Sequence, residues 1–147
     1  MKVFAIASAG GHWIQLLRLS PAFEGHELIY ASTRESFAGS VKGHDFHFIP
    51  DANRNDKMGM LKMSAKIFRL VRKLKPDVVV TTGAAPGLLG LIAGRFFGAR
   101  TIWIDSIANV EEYSLSGKIA LKIADRFYTQ WPDLANENAL FHGNVMS

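Results

Sequence analysis

The stretch V-F-A-I-A-S-A-G-G-H-W-I-Q-L-L-R-L, residues 3–19, constrains this chain more than any other. An apolar run over residues 3–7 is followed by four small residues, Ser8, Ala9, Gly10 and Gly11. His12 comes next, then apolar positions at helical period, Trp13, Leu16 and Leu17. The run reads as a strand buried on both faces and the periodic segment as a helix packed back on it. Strand, tight turn and helix in that order open a parallel α/β sheet. Glycines let the backbone approach a ligand closely, and a helix N-terminus offers unpaired N–H groups and positive dipole to an anion. His12 stands at that mouth, where an imidazole can accept a proton. An ordinary strand-to-helix turn with a solvated histidine uses the same residues, so the turn alone does not decide between them.

The rest of the chain repeats the unit. Strands are expected over residues 27–32, 46–49, 77–82, 100–105 and 126–129, and a last one within 140–146. Helices are expected over residues 57–74, 88–97 and 115–125, with a short one over 35–41. Three consecutive valines in D-V-V-V-T-T mark a strand covered on both faces. The alternation predicts an α/β class, a Rossmann-like parallel sheet with helices on both faces. With 147 residues and 48% hydrophobic content, the chain reads as one domain, 1–147, with its own core. Ligands of such sheets bind at the carboxyl ends of the strands. That places three candidate segments together: residues 8–12, 82–87 and 105–112.

Several chemistries are excluded at once. With no cysteine there is no disulfide and no thiolate metal site. The histidines His12, His26, His44, His47 and His142 are scattered, so no metal site is expected. A dinucleotide turn needs G-x-G-x-x-G and an acid at the end of strand two; the turn here is A-G-G-H-W-I and that strand ends Ala31-Ser32. A phosphate loop of the G-x-x-x-x-G-K-S/T type is missing too. No apolar run reaches the ~18 residues of a spanning helix, and the start is too short for a signal peptide.

The net charge of +4 is unevenly spread: residues 57–75 hold seven of the 17 Lys and Arg and none of the 13 acids. That helix interleaves its cations with Met58, Leu61, Ile67, Phe68 and Leu70. A solvated face is one reading. An anionic membrane surface, met by Lys62, Lys66, Arg69 and Lys73, is the other. No nucleic-acid motif accompanies the charge, so no nucleic-acid partner is expected. The second small-residue turn, Thr82-Gly83-Ala84-Ala85-Pro86-Gly87, opens a helix near the first; two such N-termini suit a diphosphate, and a close-packed turn would look the same. Asp105 could orient His12 or a sugar hydroxyl, or cap the next segment.

S-A-G-G-H-W-I-Q-L, T-T-G-A-A-P-G, W-I-D-S-I-A-N-V-E-E-Y-S-L-S-G-K and Q-W-P-D-L together resemble the oligosaccharide biosynthesis family. That family includes the membrane-recruiting subunit of the eukaryotic dolichol-linked UDP-N-acetylglucosamine transferase and bacterial exopolysaccharide glycosyltransferase subunits. The chain also resembles the N-terminal half of glycosyltransferase family 28, the enzyme that adds N-acetylglucosamine to lipid I; Gly143-Asn144-Val145 is similar to the G-N-P-V closing that half. The resemblance implies the N-terminal half of a type-B glycosyltransferase, inverting and without metal or cofactor. A separate polypeptide would bind the UDP-sugar and this chain the lipid-linked saccharide acceptor.

His12 is then the expected base with Asp105 as its companion. Ser8, Gly10, Gly11, Thr82, Gly83, Gly87, Ser106, Asn109, Glu111 and Gln130 are the expected substrate-binding residues. The eukaryotic subunit carries an N-terminal membrane helix that this sequence lacks, so attachment is expected to rest on the basic helix or a partner. The expected location is cytoplasmic, peripheral on the inner face of the cell membrane, with little activity without the partner chain. A non-catalytic scaffold that recruits a catalytic subunit, and a stand-alone nucleotide-binding enzyme, are the competing readings.

Overall fold

The expected strands pair side by side in a computed structural model that describes residues 1–53, 55–109 and 112–143. In chain order they are β1 (Lys2–Ile6), β2 (Glu27–Ser32), β3 (Asp45–Phe48), β4 (Val78–Thr81), β5 (Arg100–Ile104), β6 (Arg126–Thr129) and β7 (Leu140–Phe141). All six pairings are parallel, in the order β3-β2-β1-β4-β5-β6-β7. The helices are α1 (Gly11–Arg18), α2 (Lys57–Leu74), α3 (Ala84–Phe96) and α4 (Leu115–Ile123), with 3-10 turns at Ser20–Phe23, Glu35–Val41 and Pro132–Leu134.

The apolar runs fill both faces of the sheet. Val3, Ala5, Tyr30 and Val80 pack under Trp13 and Leu16 of α1 and Val41. Phe4, Ile6, Ile29 and Val79 pack under Met63, Ile67 and Val71 of α2 and Ala93 of α3. Trp103 and Phe127 continue that second face under Leu91 and Ala120 of α4. Strand order reverses between β1 and β4, and this switch point is where an open α/β sheet leaves a crevice.

Element boundaries differ from expectation where side chains take over backbone groups. α2 begins and ends as expected because Asp56 accepts the Gly59 N–H and Lys75 turns left-handed before Pro76. α3 starts four residues early, at Ala84, since Pro86 falls in the first turn, where a missing N–H costs nothing. It also lies close on the sheet. A Cβ at Gly87, Gly90 or Gly94 would come within 2.1 to 2.7 Å of Thr81, Ile6 or Val79. α4 stops at Ile123 rather than 125, because Ala124 is extended and Asp125 accepts the Thr101 N–H at 2.8 Å.

Candidate functional site

The two small-residue turns stand on neighbouring strands, one after β1 and one after β4. Gly10 (φ 88°) is the N-cap of α1, and both it and Gly11 are exposed with open space where a Cβ would stand. Trp13 and Ile14 both donate to the Gly10 carbonyl, so the Gly11 and His12 N–H groups precede the helical ladder at the mouth. The Ala9 N–H donates to Thr33 Oγ1 at 3.0 Å, tying this turn to the end of β2. Trp13 fixes α1 from below, stacked on Phe37 at 5.1 Å and edge-on to Tyr30 at 5.6 Å.

His12 is half-buried and reaches across to the second turn. Its Nδ1 lies 3.0 Å from the Thr82 carbonyl oxygen, and the Thr82 hydroxyl donates back to the His12 carbonyl. A carbonyl only accepts, so Nδ1 carries the proton and the lone pair of the neutral ring sits on Nε2. Gly83 (φ 133°) makes room for the ring: a Cβ there would stand 2.9 Å from both Cε1 and Nδ1. Ala84 follows at φ 67°, a conformation non-glycine residues rarely adopt, at the first residue of α3.

Asp105 does not orient the histidine, which corrects the expectation for that pair. The carboxylate is 2% exposed and faces the α4 side of the sheet. Its Oδ1 accepts the Trp103 indole N–H at 3.0 Å and the Ser114 hydroxyl at 3.2 Å, and its Oδ2 accepts the Asn109 amide at 3.0 Å. The cause is strand parity: Trp103 and Asp105 are two apart, so both point to the same layer.

Ser106 and Gln130 point the other way and meet Gln15 of α1. Gln15 donates to Ser106 Oγ at 3.2 Å and accepts the Ile107 N–H at 3.0 Å. Gln130 donates to Gln15 at 2.6 Å and to the Asp105 carbonyl at 2.8 Å. Trp131 adds an indole bond to the Ile107 carbonyl at 2.7 Å. Three expected substrate-binding residues thus have partners within the fold. Ser106 and Gln130 are buried and hold the loop after β5, and Gly87 packs on Thr81. Thr82 is likewise fully buried, with its hydroxyl on His12.

Ser8, Gly10, Gly11, His12 and Gly83 remain together at the mouth, and Asn109 stands half-buried at the rim. Glu111 lies outside the described residues, as do residues 144–147. Among the described residues, no cluster of three or more His, Cys, Asp or Glu could hold a metal ion. Burial, helped by the Asp105 charge, raises the Tyr113 pKa, and its hydroxyl donates to the Leu134 carbonyl. The expected membrane residues Lys62, Arg69 and Lys73 are exposed on α2, with Lys66 half-buried over the Phe48 ring. No helix among the described residues is long and apolar enough to cross a membrane.

Known structures share this architecture. The fold matches the crystal structure of Acinetobacter baumannii MurG with a TM-score of 0.79 at 15% identity, over 97% of this chain and 45% of that one. This is the Rossmann-like half of a type-B glycosyltransferase fold. The chain belongs to the oligosaccharide biosynthesis protein Alg14-like family, whose model matches residues 57–145. UDP-N-acetylglucosamine transferase subunit ALG14 of Yarrowia lipolytica is 41% identical over 83 residues, which is 51% of this chain and 38% of that protein. The Homo sapiens protein of the same name is 25% identical over 91% of this chain and 77% of its own length.

Proposed function

We propose that this chain is the acceptor-binding, membrane-associating half of a two-chain UDP-sugar glycosyltransferase. The pair extends a lipid-diphosphate-linked saccharide in exopolysaccharide or cell-surface glycan synthesis. The observation that carries the reading is the His12 ring, held through Nδ1 by the Thr82 carbonyl between two helix N-termini. The acceptor hydroxyl oxygen attacks the anomeric carbon of the donor sugar, and the bond from that carbon to the phosphate oxygen breaks. UDP leaves, and Nε2 of His12 takes the hydroxyl proton. Attack from the face opposite UDP inverts the configuration. The N–H groups at the starts of α1 and α3 stabilise phosphate charge without a metal.

The relatives are UDP-N-acetylglucosamine transferase subunits, which supports a separate polypeptide carrying the UDP-sugar-binding half. The acid-free α2 supports a peripheral place on the anionic inner leaflet, on the cytoplasmic side. One observation favours a second reading, a scaffold that only brings a catalytic subunit to the membrane. Among the described residues no carboxylate bonds the His12 ring, since Asp105 is turned to α4.

Reconstitution separates the readings. The purified chain with UDP-sugar and lipid acceptor gives little or no turnover, and adding the partner restores it; robust turnover without a second polypeptide defeats the two-chain reading. In the assembled pair, His12→Ala lowers kcat by ~10²–10⁴ while partner affinity stays near wild type. A fall of less than about threefold assigns the scaffold role.

A further inference from the structure

Asp105 is a buried carboxylate that the reaction at His12 does not use. No Lys or Arg among the described residues pairs with it, and its partners are neutral donors. Two features balance the charge. α4 starts directly over it: Ser114, the N-cap, donates to Oδ1 and accepts the Gly117 N–H at 2.9 Å, and a Cβ at Gly117 would stand 2.5 Å from Oδ1. The helix thus turns its positive end on the carboxylate. Trp103 and Asn109 supply the remaining hydrogen bonds. Packing alone does not call for a charge at 105, since an apolar side chain there would avoid the desolvation. What the charge does fix is the direction of one amide.

A carboxylate oxygen only accepts, so the Asn109 amide turns its Nδ2 to Asp105 Oδ2, at 3.0 Å. The backbone beneath is pinned as well, by the Asn109 N–H on the Ser106 carbonyl at 3.0 Å. Oδ1 is the atom left over, a hydrogen-bond acceptor to which no described residue donates. Asn109 is half-buried and follows the carboxyl end of β5, on the side of the sheet where His12 stands at the end of β1. An amide free to turn would show either of its ends to a ligand. Held by Asp105, this one shows an oxygen.

We propose that Asp105 is a positioning residue that sets the polarity of Asn109, and that Asn109 Oδ1 reads a hydrogen-bond donor, an O–H or an amide N–H, on the acceptor saccharide. The inference rests on the acceptor-binding role in the proposed function and adds which kind of group on the sugar this chain tests. A saccharide with hydrogen in place of that group leaves Oδ1 unpaired in the closed site and is selected against.

The assembled pair is assayed with undecaprenyl-diphosphate-linked glucose, galactose and N-acetylglucosamine, and the best of these is kept. Asp105→Asn preserves the shape and still accepts from Trp103 and Ser114, but it offers an N–H to Asn109. The Asn109 amide then turns over and shows an N–H outward. Acceptor KM rises by about tenfold or more, while kcat and the KM for the UDP-sugar stay within about threefold of wild type. Asn109→Asp alone sets two carboxylates against each other and raises acceptor KM likewise. Asp105→Asn combined with Asn109→Asp restores the donor–acceptor match and an outward oxygen, so it recovers most of the loss, where mere damage to packing would add the two losses. Acceptors with each hydroxyl replaced in turn by hydrogen, or with an acetamido N–H methylated, identify the group: the analogue lacking it is used equally by wild type and Asp105→Asn. Unchanged acceptor KM in Asp105→Asn, additive losses in the double variant, or no analogue that levels the two enzymes overturns the inference and leaves the acceptor-binding role standing. Asn109→Ala keeps the test open if Asp105→Asn fails to fold: its acceptor KM rises similarly, and a wild-type value overturns the inference. Turnover of none of the three acceptors by the wild-type pair removes the acceptor-binding role and the inference with it.

Discussion

The His12 ring owes its place to Gly83. Gly83→Ala puts a methyl group 2.9 Å from the ring atoms and a side chain at φ 133°, so the ring must leave the Thr82 carbonyl. The variant is expected to lose ~1–3 kcal/mol of stability from backbone strain and to match His12→Ala in turnover with the partner. Denaturation and kcat measured on one preparation check this; wild-type turnover would separate ring placement from catalysis. His47 on β3 titrates for a different reason. Burial lowers its pKa below the usual 6.5 and the Lys66 and Lys73 charges add to that, while Asp45 opposes them. Between its folded value and 6.5 the unfolded chain binds more protons, so stability rises with pH and is lost as pH falls through this window. Tm should therefore drop from about pH 7 to about pH 5 more steeply in wild type than in His47→Gln. Equal slopes would place the dependence on another group.

At the scale of elements, the loop after β5 is clamped from two sides: Gln15 and Gln130 on the α1 side, Trp103 and Ser114 through Asp105 on the α4 side. Gln15→Leu keeps the shape and strands the Ile107 N–H and one Gln130 amide bond, at ~1–3 kcal/mol for the unsatisfied groups. Amide exchange at Ile107 should quicken well beyond that of β1, and an unaltered rate would mean the loop is held elsewhere. Much of this was open to sequence reasoning. W-I-D places Trp103 and Asp105 on one side of a strand, and that parity is legible without coordinates. Gln15 gave little signal. One polar residue beside Leu16 does not announce that its partners lie 91 and 115 positions away. The start of α3 was missed for a local reason: glycine and proline read as a turn, while here they form a helix's first turn and its close contact with β4.

At the largest scale, the seven strands among the described residues, their parallel sense and the helices on both faces follow from the alternation of apolar runs with periodic segments. Strand order follows less directly, because nothing local states that β4 crosses back to lie beside β1. That crossing brings together two turns separated by 70 residues of chain, and the paired bonds between His12 and Thr82 then lock them. The lock acts before any ligand arrives. The distance between the two helix starts is therefore a property of the folded chain rather than something a substrate imposes, and the conformational entropy of bringing them together is already lost on folding. A bound diphosphate would find a gauge already set by the fold.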